Sequence, residues 1–269
     1  MRFIDFEYDQ NRLSDFGFIV CNFEQSRGTD IVSIGSEIVM NTVSSSLGKN
    51  KYFINSQYNN CIESEFDICK NPDEYDDLKI SEDEYISIVR WLNRNKFKKF
   101  RIIDKCPEFN DCYYYASFNI SKINIGDVLY GLRLTMETNR PFALRDKICN
   151  FNIIEPNQTV ILIDESDDEG CIYPHMRITI GNISGDLKIS NEVGDKIETT
   201  IIKNCTANEV ITIDYPIIYS SILSHKVHKD FNWKFFGISN TNNDRVNKIT
   251  VSLPCKIEIG YSPAVKLGL

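Results

Sequence analysis

The sequence predicts a mainly β protein of two domains, the first with a single helix, and three observations carry that expectation. Leu132, Leu134 and Met136 alternate with Arg133, Thr135 and Glu137, the period of a strand with one buried face. Only one window has the helical period: Tyr85, Ile88, Val89 and Leu92 fall at i, i+3, i+4 and i+7. Beyond residue 157, short apolar runs recur every 10–14 residues with turn residues between them, the spacing of an antiparallel sandwich.

A chain of 269 residues with 42% hydrophobic content can bury one large core or two ordinary ones, and two domains are expected. We place the first at residues 1–143, a linker at 144–157 and the second at 158–269. Pro141 marks the first boundary, since proline cannot donate to a ladder and holds Arg140 extended. Residues 144–157 show no sustained period and include Pro156, which suits a linker.

Within the first domain, short strands are expected at Phe3–Phe6 and Phe18–Phe23, the second after a Ser14-Asp15-Phe16-Gly17 turn. Residues 38–58 read as a hairpin across Leu47-Gly48-Lys49-Asn50. Its strands are too polar to bury a face well, so it should project from its own domain. Ser81 and Glu84 form a capping box, and Glu82 and Asp83 sit at the positive end of the dipole, which predicts a helix over 81–96. Lys98–Ile103 and Tyr113–Ile123 follow as strands. In the second domain, strands are expected at Val160–Ile163, Met176–Ile180, Asp186–Ile189, Ile197–Ile202, Val210–Ile213, Ile217–Leu223, Ile249–Leu253 and Ile257–Tyr261.

Charge and composition exclude several function classes. The net charge is −8, made of 17 Lys/Arg against 22 Asp/Glu in residues 1–143 and 13 against 16 in the remainder. Neither half has the basic balance of a nucleic-acid binder. The one dense basic group, Lys96, Lys98, Lys99 and Arg101, reads as a helix C-terminus whose cations complement the macrodipole. No segment approaches the roughly 20 apolar residues that span a bilayer, and the N-terminus lacks a signal-peptide core, so a protein made and kept in a cytoplasm is expected. Nine cysteines include no C-x-x-C pair, which points to reduced thiols rather than a zinc or disulfide framework.

The search for chemistry assigns no catalytic, cofactor-binding or metal-ligating residue. His225 and His228 could share a face, but no third ligand is evident, and a structural or surface role is expected. His175, after Tyr173-Pro174, reads as a packing or edge residue. The run Asp164-Glu165-Ser166-Asp167-Asp168-Glu169-Gly170 resembles the first half of a calcium loop, yet Met176 stands where the bidentate glutamate belongs, so a solvated turn is expected. Tyr215, Tyr219 and Trp233 could stack on a sugar, but core burial is the expectation for them.

Taken together, the chain resembles the distal tail proteins of long-tailed phages of Gram-positive hosts, or of related prophage tails. The residues that carry the resemblance are Asp15-Phe16-Gly17-Phe18, the polar arm at 38–58, the helix, Phe100-Arg101-Ile102-Ile103-Asp104, Gly131–Glu137 leading to Arg140-Pro141-Phe142-Ala143, Tyr173-Pro174-His175-Met176-Arg177-Ile178, and Glu258-Ile259-Gly260-Tyr261. The resemblance implies a β-sandwich-like first domain with a protruding hairpin arm and a galectin-like second sandwich. It also implies a virion structural protein, not an enzyme, in a homo-hexameric ring, with the tail-tube protein above and a tail-tip hub or tail-associated protein below. Receptor-binding or baseplate proteins would sit on the second domain. DNA would pass through the ring without specific binding, and no cofactor is implied. The galectin His-Asn-Arg cluster is missing around Asn232-Trp233-Lys234. The alternative reading is a carbohydrate-binding protein whose second domain contacts cell-wall glycan.

Overall fold

The computed structural model describes residues 3–23, 37–44, 50–59, 61–103, 110–241 and 243–267. The chain divides into two compact units that change over between Leu144 and Arg145. The expected turn residues Leu47–Lys49, and Cys106, lie outside the described residues.

The first unit contains β1 (Asp5–Tyr8), β2 (Asn11–Arg12), β3 (Phe18–Cys21), β4 (Ile38–Ser44), β5 (Lys51–Tyr58), β6 (Glu63–Lys70), helix α1 (Glu82–Leu92), β7 (Lys98–Ile103), β8 (Cys112–Ile125) and β9 (Val128–Thr138). Its main sheet runs β2-β1-β7-β8-β9-β6-β3 through antiparallel pairs. The alternation read in β9 is the alternation observed. Leu132, Leu134 and Met136 are buried, while Arg133 faces the other way and grips Asp67, its cross-strand neighbour on β6, through Nε–Oδ1 at 2.9 Å and Nη2–Oδ2 at 3.2 Å. The strand ends at Thr138, before Pro141, where the Thr138 hydroxyl donates to the Arg140 carbonyl at 2.7 Å and accepts from the Ile62 amide at 3.0 Å.

Aromatic side chains fill the core of this unit. Trp91 of α1 stacks on Phe16 at 4.6 Å and on Phe6 at 5.6 Å, and its indole N–H donates to the Tyr8 carbonyl at 2.8 Å. Offset and edge-on ring pairs of this kind add to the burial of their large surfaces. The capping box is present: the Ser81 amide donates to Glu84 Oε2 at 2.8 Å, and the Glu84 amide donates to Ser81 Oγ at 3.4 Å. Glu84 also pairs with Lys70 at 2.9 Å, which ties the helix start to β6.

Two expectations about this unit are corrected. The helix stops at Leu92 rather than 96, because Asn93 leaves helical geometry at φ −80° and ψ 83°. Lys98, Lys99 and Arg101 are therefore strand residues, not cations at a helix end. Lys98 pairs with Asp9 at 3.1 Å, Arg101 with Glu7 at 3.9 Å, and Lys99 lies 3.7 Å over the Tyr113 ring.

The second unit follows β10 (Ala143–Arg145) and holds β11 (Lys147–Ile153), β12 (Gln158–Ile163), β13 (Gly170–Ile172), β14 (His175–Ile180), β15 (Gly185–Val193), β16 (Lys196–Cys205), β17 (Val210–Asp214), β18 (Ile217–Ser220), a one-turn helix α2 (Val227–Asp230), β19 (Ile238–Asn240), β20 (Val246–Val251), β21 (Cys255–Tyr261) and β22 (Ala264–Val265). Two antiparallel sheets, β11-β21-β14-β17-β18 and β12-β20-β15-β16, form a sandwich around one apolar core. Inward residues such as Met176, Ile178, Leu187, Ile189, Ile249 and Ile257 fill it. Gly194, at φ 56°, supplies the left-handed turn between β15 and β16.

The linker is the third correction. Residues 147–153 form β11, which pairs with β21 in unbroken register from Lys147–Tyr261 to Ile153–Cys255. Cys149, Phe151 and Ile153 turn toward the core, so the period of two is real but is disguised by the outward Ile148. At the other end, Lys266 and Leu267 rejoin the first unit: Lys266 Nζ lies over the Phe142 ring at 5.2 Å, and the Tyr114 hydroxyl donates to the Leu267 carbonyl at 3.1 Å.

Candidate functional site

The hairpin at 38–58 is the feature of the first unit that its own core does not explain. Strands β4 and β5 pair from Ile38–Tyr58 to Ser44–Lys51, with a bulge between Asn41 and Thr42. Among the described residues they form a two-stranded sheet of their own. Six large apolar side chains on it are more than half exposed: Ile38, Met40, Val43, Tyr52, Phe53 and Ile54. Among the described residues, its contacts with the rest of the unit lie at its base. There the Asn59 amide donates to the Glu37 carbonyl at 2.9 Å, and Tyr58 meets the Phe142 ring edge-on at 4.6 Å. Isolated two-stranded ribbons are marginal in water, and free strand edges beside exposed apolar side chains are templates for another chain.

The residues singled out for chemistry are scattered by the fold. His228 is exposed. The side chain of His225, in the second unit, is nearly buried, its Nδ1 2.5 Å from Glu209 Oε1 and its Nε2 3.3 Å from Asp230 Oδ2. Glu209 is fully buried and was not visible in the sequence. Burial works to raise its carboxyl, but hydrogen bonds from Ser220, Thr206 and His225 outweigh burial and hold it below its ordinary value of 4.5. This arrangement fastens the segment after β18 to the start of β17. It offers no water-exposed nucleophile, since the Ser220 hydroxyl donates to the same Glu209.

His175 is half exposed and 3.8 Å from Asp214; it begins β14, which is paired on both sides by β21 and β17, so it is neither packed in the core nor on a sheet edge as expected. The acidic run departs from a solvated turn, because Asp164 and Ser166 are buried; the Asn240 amide donates to the Ser166 carbonyl at 2.9 Å and fixes the turn from inside. Core burial fails for the three aromatics. Trp233, Tyr215 and Tyr219 are 61%, 54% and 53% exposed, and Trp233 occupies left-handed backbone at φ 58°, a conformation that costs a bulky residue energy and that sequence cannot reveal. Among the described residues, no cluster of three or more His, Cys, Asp or Glu could hold a metal ion.

These features describe a β-rich fold with a hairpin that, among the described residues, pairs with no other strand. Residues 1–140 match the family described as phage tail protein N-terminal domain, and residues 142–261 match its phage tail C-terminal domain; the chain belongs to this family of phage tail proteins. It is also similar in fold to the Dit (gp 19.1) protein of phage SPP1, described as a paradigm of the hub adsorption apparatus in phages infecting Gram-positive hosts. That likeness covers 97% of this chain and 99% of the other, at a TM-score of 0.64 and 12% identity. No curated protein matches.

Proposed function

We propose that this phage tail protein is a ring-forming adaptor at the distal end of the tail. In this reading six copies assemble through their first units below the last ring of tube protein, above a tail-tip hub. The second sandwich faces outward and carries receptor-binding or baseplate proteins. The ring gives passage to DNA without reading it, and the protein performs no catalysis.

The observation that carries this reading is the hairpin of β4 and β5. A chain with two well-packed cores has no internal reason to keep Met40, Phe53 and Ile54 in water, whereas a neighbouring subunit would cover them and pair the strand edges that no described strand of this chain takes up. A ring of identical subunits repeats one such heterologous contact until it closes. Negative-stain imaging of the purified protein, alone and mixed with its tail partners, tests the proposal. Closed rings of six support it, and an exclusively monomeric protein in both preparations overturns it.

A further inference from the structure

The second unit holds a hollow lined by its own residues. It opens where the ribbon of β13 and β19 lies against β15 and β16, and it measures about 390 Å³, within the about 300–1,000 Å³ range of small-ligand sites. Cys171, Tyr173, Asn191, Glu198, Ser239 and Asn240 are among its lining residues.

Its floor is polar and incompletely satisfied. Asn191 is 6% exposed; its Nδ2 donates to the Gly237 carbonyl at 2.8 Å and to Asn247 Oδ1 at 2.7 Å. Its Oδ1 is buried and has no hydrogen-bond partner, a state that is costly until a donor arrives. Gly237 keeps the hollow in shape, since a Cβ there would lie 2.3 Å from Cys171 Sγ.

Tyr173 is the aromatic residue of the lining. Tyr173 stacks on Tyr215 with centroids 4.4 Å apart and planes 10° from parallel, and both rings are about half exposed. The row continues through Phe235, 5.1 Å from Tyr215, to the exposed Trp233. The opposing rim offers Glu198 as acceptor and Lys196 as donor.

A flat ring face beside planar amide, carboxylate and hydroxyl groups is the combination that a pyranose requires, because a sugar presents an apolar C–H face and a rim of hydroxyls. A single lysine opposed by a glutamate does not suit a phosphate, which draws several charge-assisted donors. We propose that this hollow binds a saccharide, with one pyranose packed on Tyr173 and its hydroxyls bonded to Asn191, Glu198 and Lys196. The site stands independently of the ring.

The test uses the full chain on an array of immobilised neutral and N-acetylated oligosaccharides. The protein is expected to be retained on a subset, and Tyr173→Ala to weaken that retention about tenfold, as loss of about 1.4 kcal/mol of ring contact implies. Glu198→Gln, at an exposed position, should weaken it as well; thermal unfolding of both variants at the parent temperature shows that the fold is kept. The retained oligosaccharide should also slow alkylation of Cys171, the exposed thiol among the described cysteines, severalfold in peptide mapping. Retention on no oligosaccharide, retention that both folded variants leave unchanged, or Cys171 alkylated at the same rate with the oligosaccharide at saturation would overturn the proposal.

Discussion

Converting Met40, Phe53 and Ile54 together to serine isolates the role of the hairpin. These side chains are 65%, 63% and 60% exposed. Fully burying such a side chain contributes about 1.5–3 kcal/mol, so covering the exposed three-fifths contributes about 1–2 kcal/mol each, or about 3–5 kcal/mol for the three. A loss of that size weakens one subunit contact by at least about 10²-fold, and a closed ring has several such contacts. The first unit itself should lose less, because exposed substitutions of this kind stay within about 0.5 kcal/mol each, about 1.5 kcal/mol for the three, and shift unfolding by no more than about 6 °C. Replacing Asn41–Gln57 with a short Gly/Ser turn should act in the same way while sparing the Tyr58 contact with Phe142. The assay pairs thermal unfolding with sedimentation or imaging of assembled tails. If either variant assembles as the parent does, the hairpin does not hold the ring; if it unfolds, the hairpin serves the core of its own unit.

Three further outcomes are expected. Trp91→Ala removes the ring packed against Phe16 and Phe6 and should cost the first unit about 3–5 kcal/mol, read as a lowered urea midpoint; a loss below about 1 kcal/mol would mean the helix is not held by this side chain. Glu209→Gln should destabilise the second unit at neutral pH, and because the Glu209 carboxyl is held below 4.5, the stability it contributes is present above that pH and fades as pH falls through the folded value. The difference between parent and variant should therefore shrink in acid, and an offset that stays constant from pH 7 to pH 3 would contradict this. The narrowest part of the ring lumen should be lined by neutral or acidic side chains, in keeping with the excess of acidic residues in 1–143 and with rapid DNA transit; a lumen dominated by Lys and Arg in a reconstruction would count against it.

How much of this was legible in the sequence depended on whether the signal was local. The alternation of Leu132, Leu134 and Met136 and the Ser81–Glu84 capping box are written in neighbouring residues, and the structure repeats both. Strand β11 was missed because Ile148 points outward and Cys149 inward, which blurs the contrast on which a period of two depends. The basic group after α1 was misassigned because nothing before Asn93 marks the end of the helix. Glu209 and His225 lie sixteen residues apart, and only the register of β17 with β18 and the turn that follows bring them together. The exposed stack of Tyr173 and Tyr215 joins residues 42 positions apart, beyond the reach of any periodicity.

A symmetry-free reconstruction of the assembled tail tip tests both the proposed ring and the proposed role of the hairpin in closing it. It should show six copies of this chain around the tail axis, with β4 and β5 of each copy lying on the first unit of a neighbour and Met40, Phe53 and Ile54 covered. Another subunit count, or a hairpin left in solvent within the assembled ring, would contradict it.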